Sequence, residues 1–204
     1  MLSGAAIVYI FTLAIFLASL TVHEYAHGWV ALKCGDDTAA RMGRLTLNPI
    51  AHISLFGTII LPLLVGFGWA KPVPVNFAVL SKKQIFMVAA AGPASNLLLV
   101  LVLTILFHLF RLKTVPILAF FVSLAVLYNI ILAVFNLIPI PPLDGSKMVY
   151  ASLKSPKAIN AYRHFSQFGI FILIIGFLFL DGFGRVVWPV VARLYALLAL
   201  PSPF

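Results

Sequence analysis

Apolar residues along this chain neither alternate nor recur on one helical face. They gather into long stretches at about residues 4–32, 53–69, 84–110, 115–138 and 165–200, separated by short polar connections. A helix rises 1.5 Å per residue, so about 20 apolar residues cross a hydrocarbon core of roughly 30 Å. In lipid each backbone polar group must be bonded within the protein, which makes α-helices the expected form of these stretches. The last is long enough for two passes, with a break near Asp181 to Arg185. The second is short and interrupted by Gly57, Pro62, Gly66 and Gly68; it suits a re-entrant hairpin better than a crossing. The pattern predicts an all-α integral membrane protein, a bundle of about five to six transmembrane helices with a re-entrant or short extended segment near residues 53–76. With no internal repeat or low-complexity tract, residues 1–204 are expected to form a single membrane-embedded domain.

Composition agrees and adds an orientation. Charged side chains make up 9% of the 204 residues and hydrophobic ones 63%, against about 25% charged in soluble domains, and the mean hydropathy is +1.12. The 14 Lys and Arg outnumber the 5 Asp and Glu, but they sit between apolar runs and read as topology determinants, so nucleic acid is not an expected partner. If residues 53–69 turn back, the loops at 33–52, 70–83 and 139–164 share one face and carry ten cations, against Arg111 and Lys113 on the other. A full crossing would divide these cations between the faces, so re-entry is preferred and the rich face is expected to be cytoplasmic. The expected location is the cell membrane, multi-pass. The N-terminus lacks a basic n-region and a small-residue cleavage site, and is read as mature protein. A single cysteine, Cys34, excludes an internal disulfide or a thiolate metal site and is read as a small packing residue.

Against this apolar background, His23-Glu24-Tyr25-Ala26-His27 carries chemistry. Histidines four apart share one helical face and can bind one zinc ion, and Glu24, the chain's only glutamate, suits a general base acting on water activated by that metal. A hydrolytic zinc site wants three protein ligands and an open position. Candidates for the third ligand are His52, His108, His164, Asp36, Asp37, Asp144, Asp181 and Cys34. Asp144 stands out: it follows a proline-rich run at the end of a membrane helix, where irregular backbone surrounds a polar cavity, and Gly145 after it permits a tight turn. The charge-derived topology puts it on the same face as the end of the first helix.

HEYAH at 23–27, GPASN at 92–96 and NLIPIPPLDG at 136–145, with NPIAH at 48–52 between them, resemble the signatures of the site-2 protease family of intramembrane zinc metalloproteases. The similarity runs from about residue 20 to 150, and the chain resembles the small prokaryotic members that lack an appended PDZ or CBS domain. The resemblance implies that His23, His27 and Asp144 bind one Zn2+ per chain, that Glu24 is the catalytic base and that Asn136 lies near the scissile carbonyl, where its amide donates to the developing oxyanion. One departure is that Ser54-Leu55 stands where the small members carry Asp-Pro.

Other polar positions have structural readings beside functional ones. Asn96 suits an interhelical hydrogen bond that holds the metal helix, with Gly92, Ala94 and Ser95 allowing close packing. His52 is either a cavity or substrate contact or a plain loop histidine, and His108 and His164 read as interfacial. In Lys71-Pro-Val-Pro-Val-Asn76 each proline holds its predecessor extended, so Val73 and Val75 are candidates for pairing with an unwound substrate, or else belong to a connecting loop. The expected partners are the lipid bilayer and a transmembrane protein substrate entering laterally and cut near the cytosolic leaflet. A homo-oligomer stays open. The rival function is a membrane metal-ion transporter, which fits less well because the polar chemistry gathers at one depth.

Overall fold

The computed structural model describes residues 3–54, 70–179 and 181–203. The chain is helical throughout, with no strand among the described residues. Helix α1 (Gly4–Lys33) starts at Ser3, whose Oγ accepts from Ala6 N, and a short α2 (Thr38–Arg41) follows it. Helix α3 (Lys82–Leu109) opens with a capping box, Ser81 Oγ accepting from Gln84 N and Gln84 Oε1 from Ser81 N. Helix α4 (Pro116–Asn136) begins on a proline, whose missing N–H costs nothing in the first turn. Then come α5 (Asp144–Ser152), α6 (Pro156–Phe179) and, after a π-helical turn at Phe183–Val187, α7 (Trp188–Ala196).

Three helices among the described residues, Ala6–Lys33, Lys82–Leu109 and Pro116–Asn136, are long and apolar enough to cross a membrane. About five to six were expected, but the short second stretch lies largely outside the described residues, so its re-entrant form does as well. The chain stands at the same end of the bundle before and after residues 55–69, because Lys71 N donates to His52 O at 2.9 Å. The final apolar stretch is divided: α6 stops at Phe179, Asp181 takes a left-handed φ of 50°, and α7 is a separate helix.

Large apolar side chains cover the outside of this bundle as well as filling its core. Leu98, Leu101 and Ile105 on α3 and Ile10 and Phe11 on α1 face outward, whereas Ser19, Thr21, Asn96, Ser123 and Asn129 are buried. Lipid solvates the apolar side chains, and polar groups must find protein partners inside. Ser19 and Thr21 return their hydroxyls to the carbonyls of Ile15 and Leu17. Helix α3 is the central element, packed against α1, α4 and α5. One apolar cluster joins α3, α4 and α7 through Val100, Val126, Leu127, Ile130, Val187 and Val191. A second, of Ala31, Leu80, Ile85, Val88 and Ala151, closes the end where α1 finishes, α3 starts and α5 lies. Gln84 Nε2 donates to Cys34 O (3.1 Å) and Lys82 Nζ to Leu153 O at this end, and His108 Nε2 meets Leu198 O at the other. The loops after α1, before α3 and after α4 therefore share one face, as charge counting expects.

The connection after α1 is pinned by Asp36, 2% exposed, whose carboxylate accepts from Thr38 N, Thr38 Oγ1 and Asn76 N, the last at 2.7 Å. Burial would raise its pKa; the bonds from Thr38 and Asn76, with Arg41 nearby, outweigh it and hold the carboxyl below its ordinary value of 3.8. A carboxyl depressed on folding contributes stability above that ordinary value and loses it as pH falls through the lower folded value. Asp36→Ala, which strands these donors, should lower stability near neutrality by about 2–3 kcal/mol and flatten its acid dependence below about pH 4. Denaturation of the detergent-solubilised protein from pH 7 to pH 3 measures both, and parallel curves for the two proteins would contradict the assignment.

Candidate metal centre

Four residues of α-helix bring His23 and His27 around to the same side of α1, with their rings edge to face at 4.7 Å between centroids. Asp144 reaches them from the first turn of α5, where the helix dipole favours negative charge. Its Oδ2 lies 3.1 Å from His23 Nε2 and 3.0 Å from His27 Nε2, and the two Nε2 atoms are 3.1 Å apart. All three residues are buried. Burial alone would raise the Asp144 carboxyl; the His27 ring, hydrogen bonds with both histidines and Lys147 outweigh it and keep it well below the usual carboxylate range. Lys147 Nζ donates to its other oxygen, Oδ1, at 3.0 Å.

The hydrogen bonds behind the rings fix which nitrogen faces the cluster. Val88 O can only accept, so His27 Nδ1, 2.7 Å away, carries its proton. His23 Nδ1 is 2.6 Å from Asn96 Oδ1, and the Asn96 amide is oriented by donating from Nδ2 to Asn129 Oδ1 (2.8 Å) and Ser19 O (3.3 Å). Asn129 in turn donates to Ser19 Oγ and Ala125 O. With both Nδ1 atoms donating, the Nε2 protons are the ones that face Asp144, and their loss leaves neutral rings with both Nε2 atoms able to ligate a metal. Two imidazole nitrogens and a carboxylate oxygen at mutual distances of 3.0–3.1 Å suit tetrahedral zinc, whose ligand bond lengths imply separations of about 3.3 Å. Among the described residues this is the one such group of ligating side chains.

Residues 11–116 and 111–178 match peptidase family M50. The chain belongs to peptidase family M50. It is 40% identical over 185 residues to "Putative zinc metalloprotease YwhC" of Bacillus subtilis, covering 85% of this chain and 82% of that one. It is 30% identical over 190 residues to "Putative zinc metalloprotease Rip2" of Mycobacterium tuberculosis, covering 89% and 73%, and 30% over 173 residues to the protein of the same name from Mycolicibacterium smegmatis, covering 82% and 66%. No solved structure matches significantly. The site-2 protease resemblance carried by the three motifs is thus borne out, and with it a zinc metalloprotease whose cofactor is Zn2+.

In this M50 peptidase, Gly92 on α3 forms the wall behind the cluster. A Cβ there would lie 2.4 Å from His27 Nε2 and 2.5 Å from His23 Nε2. Gly145 has no positive φ, so its purpose is close approach rather than a tight turn: a Cβ would meet Leu137 O at 2.2 Å, which seats Asp144 against the end of α4. Glu24 is half-buried, and its Oε2 accepts from Val73 N at 2.8 Å. Asn136 turns its amide back on its own helix, Nδ2 donating to Leu132 O at 3.0 Å. His52 is buried and donates from Nε2 to Thr46 O (2.9 Å), bracing the loop before residue 55 rather than joining the histidine pair. His108, His164, Asp37, Asp181 and Cys34 are likewise outside the metal group, and Asp36 serves the loop. Val73 is buried and Val75 half-buried in an extended segment that pairs with no strand.

Asn129, Ser19, Val88 O and Lys147 are partners that motif reading missed. A signal for Asn129 was present, since a lone amide inside an apolar span needs a polar partner; backbone carbonyls such as Val88 O carry none. Gly92→Ala should strip stoichiometric zinc from the purified protein, and Asn96→Ala should weaken zinc affinity by about 10–100-fold by freeing the His23 ring. Elemental analysis and competition with a chelator read both, and wild-type zinc in Gly92→Ala would count against the site.

Proposed function

We propose that this M50 peptidase is an intramembrane protease that hydrolyses peptide bonds in transmembrane or membrane-proximal segments of protein substrates, with Glu24 as general base and His23, His27 and Asp144 as the zinc ligands. The observation that carries the reading is the convergence of both Nε2 atoms and Asp144 Oδ2 within a bundle of membrane-length helices. Zinc, when bound there, supplies Lewis-acid polarisation of the scissile carbonyl and an acidified water. Glu24 takes a proton from the attacking water and returns it to the leaving amine. Asp144 offsets cationic charge at the metal through Oδ2 while Lys147 holds Oδ1. Asn136 keeps one amide N–H beyond its bond to Leu132 O, available to donate to the oxyanion.

The cluster lies toward the end of the bundle that carries Lys33, Lys71, Lys82 and Lys83, so the substrate is cut near the cytoplasmic face of the cell membrane and product leaves to that side. Residues 1–204 act as one catalytic domain. Substrate enters from the bilayer and is locally unwound, because a helical peptide bond is shielded by its own hydrogen bonds.

The test compares purified wild type, Glu24→Gln and Asp144→Ala for bound metal and for cleavage of a model transmembrane substrate. Glu24→Gln should keep zinc and lose about 10²–10⁴-fold in rate, whereas Asp144→Ala should lose zinc as well. Zinc binding without cleavage across a broad substrate panel, together with metal flux in liposomes, would hand the site to a transporter.

A further inference from the structure

We infer that residues 70–76 are a brace for the catalytic base: the Val73 backbone N–H fixes one carboxylate oxygen of Glu24, and Arg44 is a positioning residue that holds the brace in register. This rests on the reading of Glu24 as base. Among the described residues Glu24 enters no salt bridge and makes one hydrogen bond, from Val73 N to Oε2 at 2.8 Å. The sequence makes that donor unambiguous, because Pro72 and Pro74 have no N–H and Val73 supplies the single backbone donor of the three. Among the described residues one oxygen is held and none bonds Oε1, which is left to take a proton, an arrangement that orients a flexible side chain before substrate arrives.

The brace is pinned along its length. Arg44 Nη2 donates to Lys71 O (3.0 Å) and Pro72 O (3.3 Å), Lys71 N donates to His52 O, and Asn76 N donates to Asp36 Oδ2. The Val73 side chain is buried over α1 at Gly28, where a Cβ would lie 2.9 Å from Val73 Cγ1. Glycine next to the metal-binding His27 thus lets the segment come close enough for its N–H to reach Glu24. These pins consume Lys71 N and O, Pro72 O and Val73 N, so pairing with substrate would fall to Val73 O and the backbone of Val75, which make no hydrogen bond among the described residues.

The two roles separate in kinetics. Replacing the residue 73 amide by a backbone ester deletes the N–H and keeps the side chain; this variant and Arg44→Ala should each lower kcat about 10–100-fold with KM within about two-fold and zinc stoichiometric. Arg44→Lys should recover most of the loss, because one nitrogen makes both carbonyl contacts. In a Glu24→Asp background, whose shorter side chain cannot reach Val73, Arg44→Ala should have little further effect. The inference fails if the ester keeps wild-type kcat while Glu24→Gln is inactive, if Arg44→Ala is equally harmful with Asp at 24, or if the change appears in KM alone. Cleavage by Glu24→Gln at the wild-type rate would overturn the base reading and the brace together.

Discussion

Holding ionisable groups inside a lipid-solvated bundle is the constraint on which the rest of this structure depends. A bilayer offers no water to an unpaired nitrogen or carboxylate, so every polar atom near the cluster must be satisfied by another part of the chain. The histidine rings meet that demand twice, with Nε2 directed to Asp144 and Nδ1 to Asn96 and Val88 O. From Asn96 the chain of bonds continues through Asn129 and Ser19 to backbone carbonyls of α4 and α1. The ends of that chain are acceptors that cannot flip, and each amide upstream is oriented in turn. The network therefore acts as structure as well as chemistry: it ties α1, α3 and α4 together where apolar contacts between lipid-solvated helices supply little preference.

Small residues follow from the same constraint. Gly92 on α3 leaves room for the two Nε2 atoms, and Gly28 on α1 admits the segment whose N–H reaches Glu24. Gly145 lets α5 press against the last turn of α4, which sets the reach of Asp144. None of these three has a positive φ, so each is a glycine for space rather than for backbone freedom. A methyl group at any of them would move a reacting side chain by a fraction of an ångström to an ångström, enough to disturb a metal centre.

The M50 match supplies zinc and peptide hydrolysis, and the geometry supplies a single set of ligand atoms able to hold that ion among the described residues. The proposed division of labour, with Asp144 completing the donor set and a backbone N–H steadying Glu24, connects the connections after α1 and α4 to the same centre. Both lie at the end of the bundle rich in lysine and arginine.

Sequence alone determined what depends on local chemistry and on solvation by lipid: the long helices, the histidine pair with Glu24 at fixed helical spacing, and the exclusion of thiolate and disulfide chemistry. It also singled out Asp144 as the candidate third ligand through the proline-rich run before it, and it placed three connections on one face because charge resists crossing a bilayer. Tertiary structure alone decided the contacts between residues distant in the chain. The pairing of Asn96 with His23 across 73 positions, the use of Val88 O as an imidazole acceptor, and the bond from Val73 to Glu24 depend on how helices pack. Periodicity carries no record of such contacts, because a backbone carbonyl or N–H is the same group at every position until the fold chooses its neighbour.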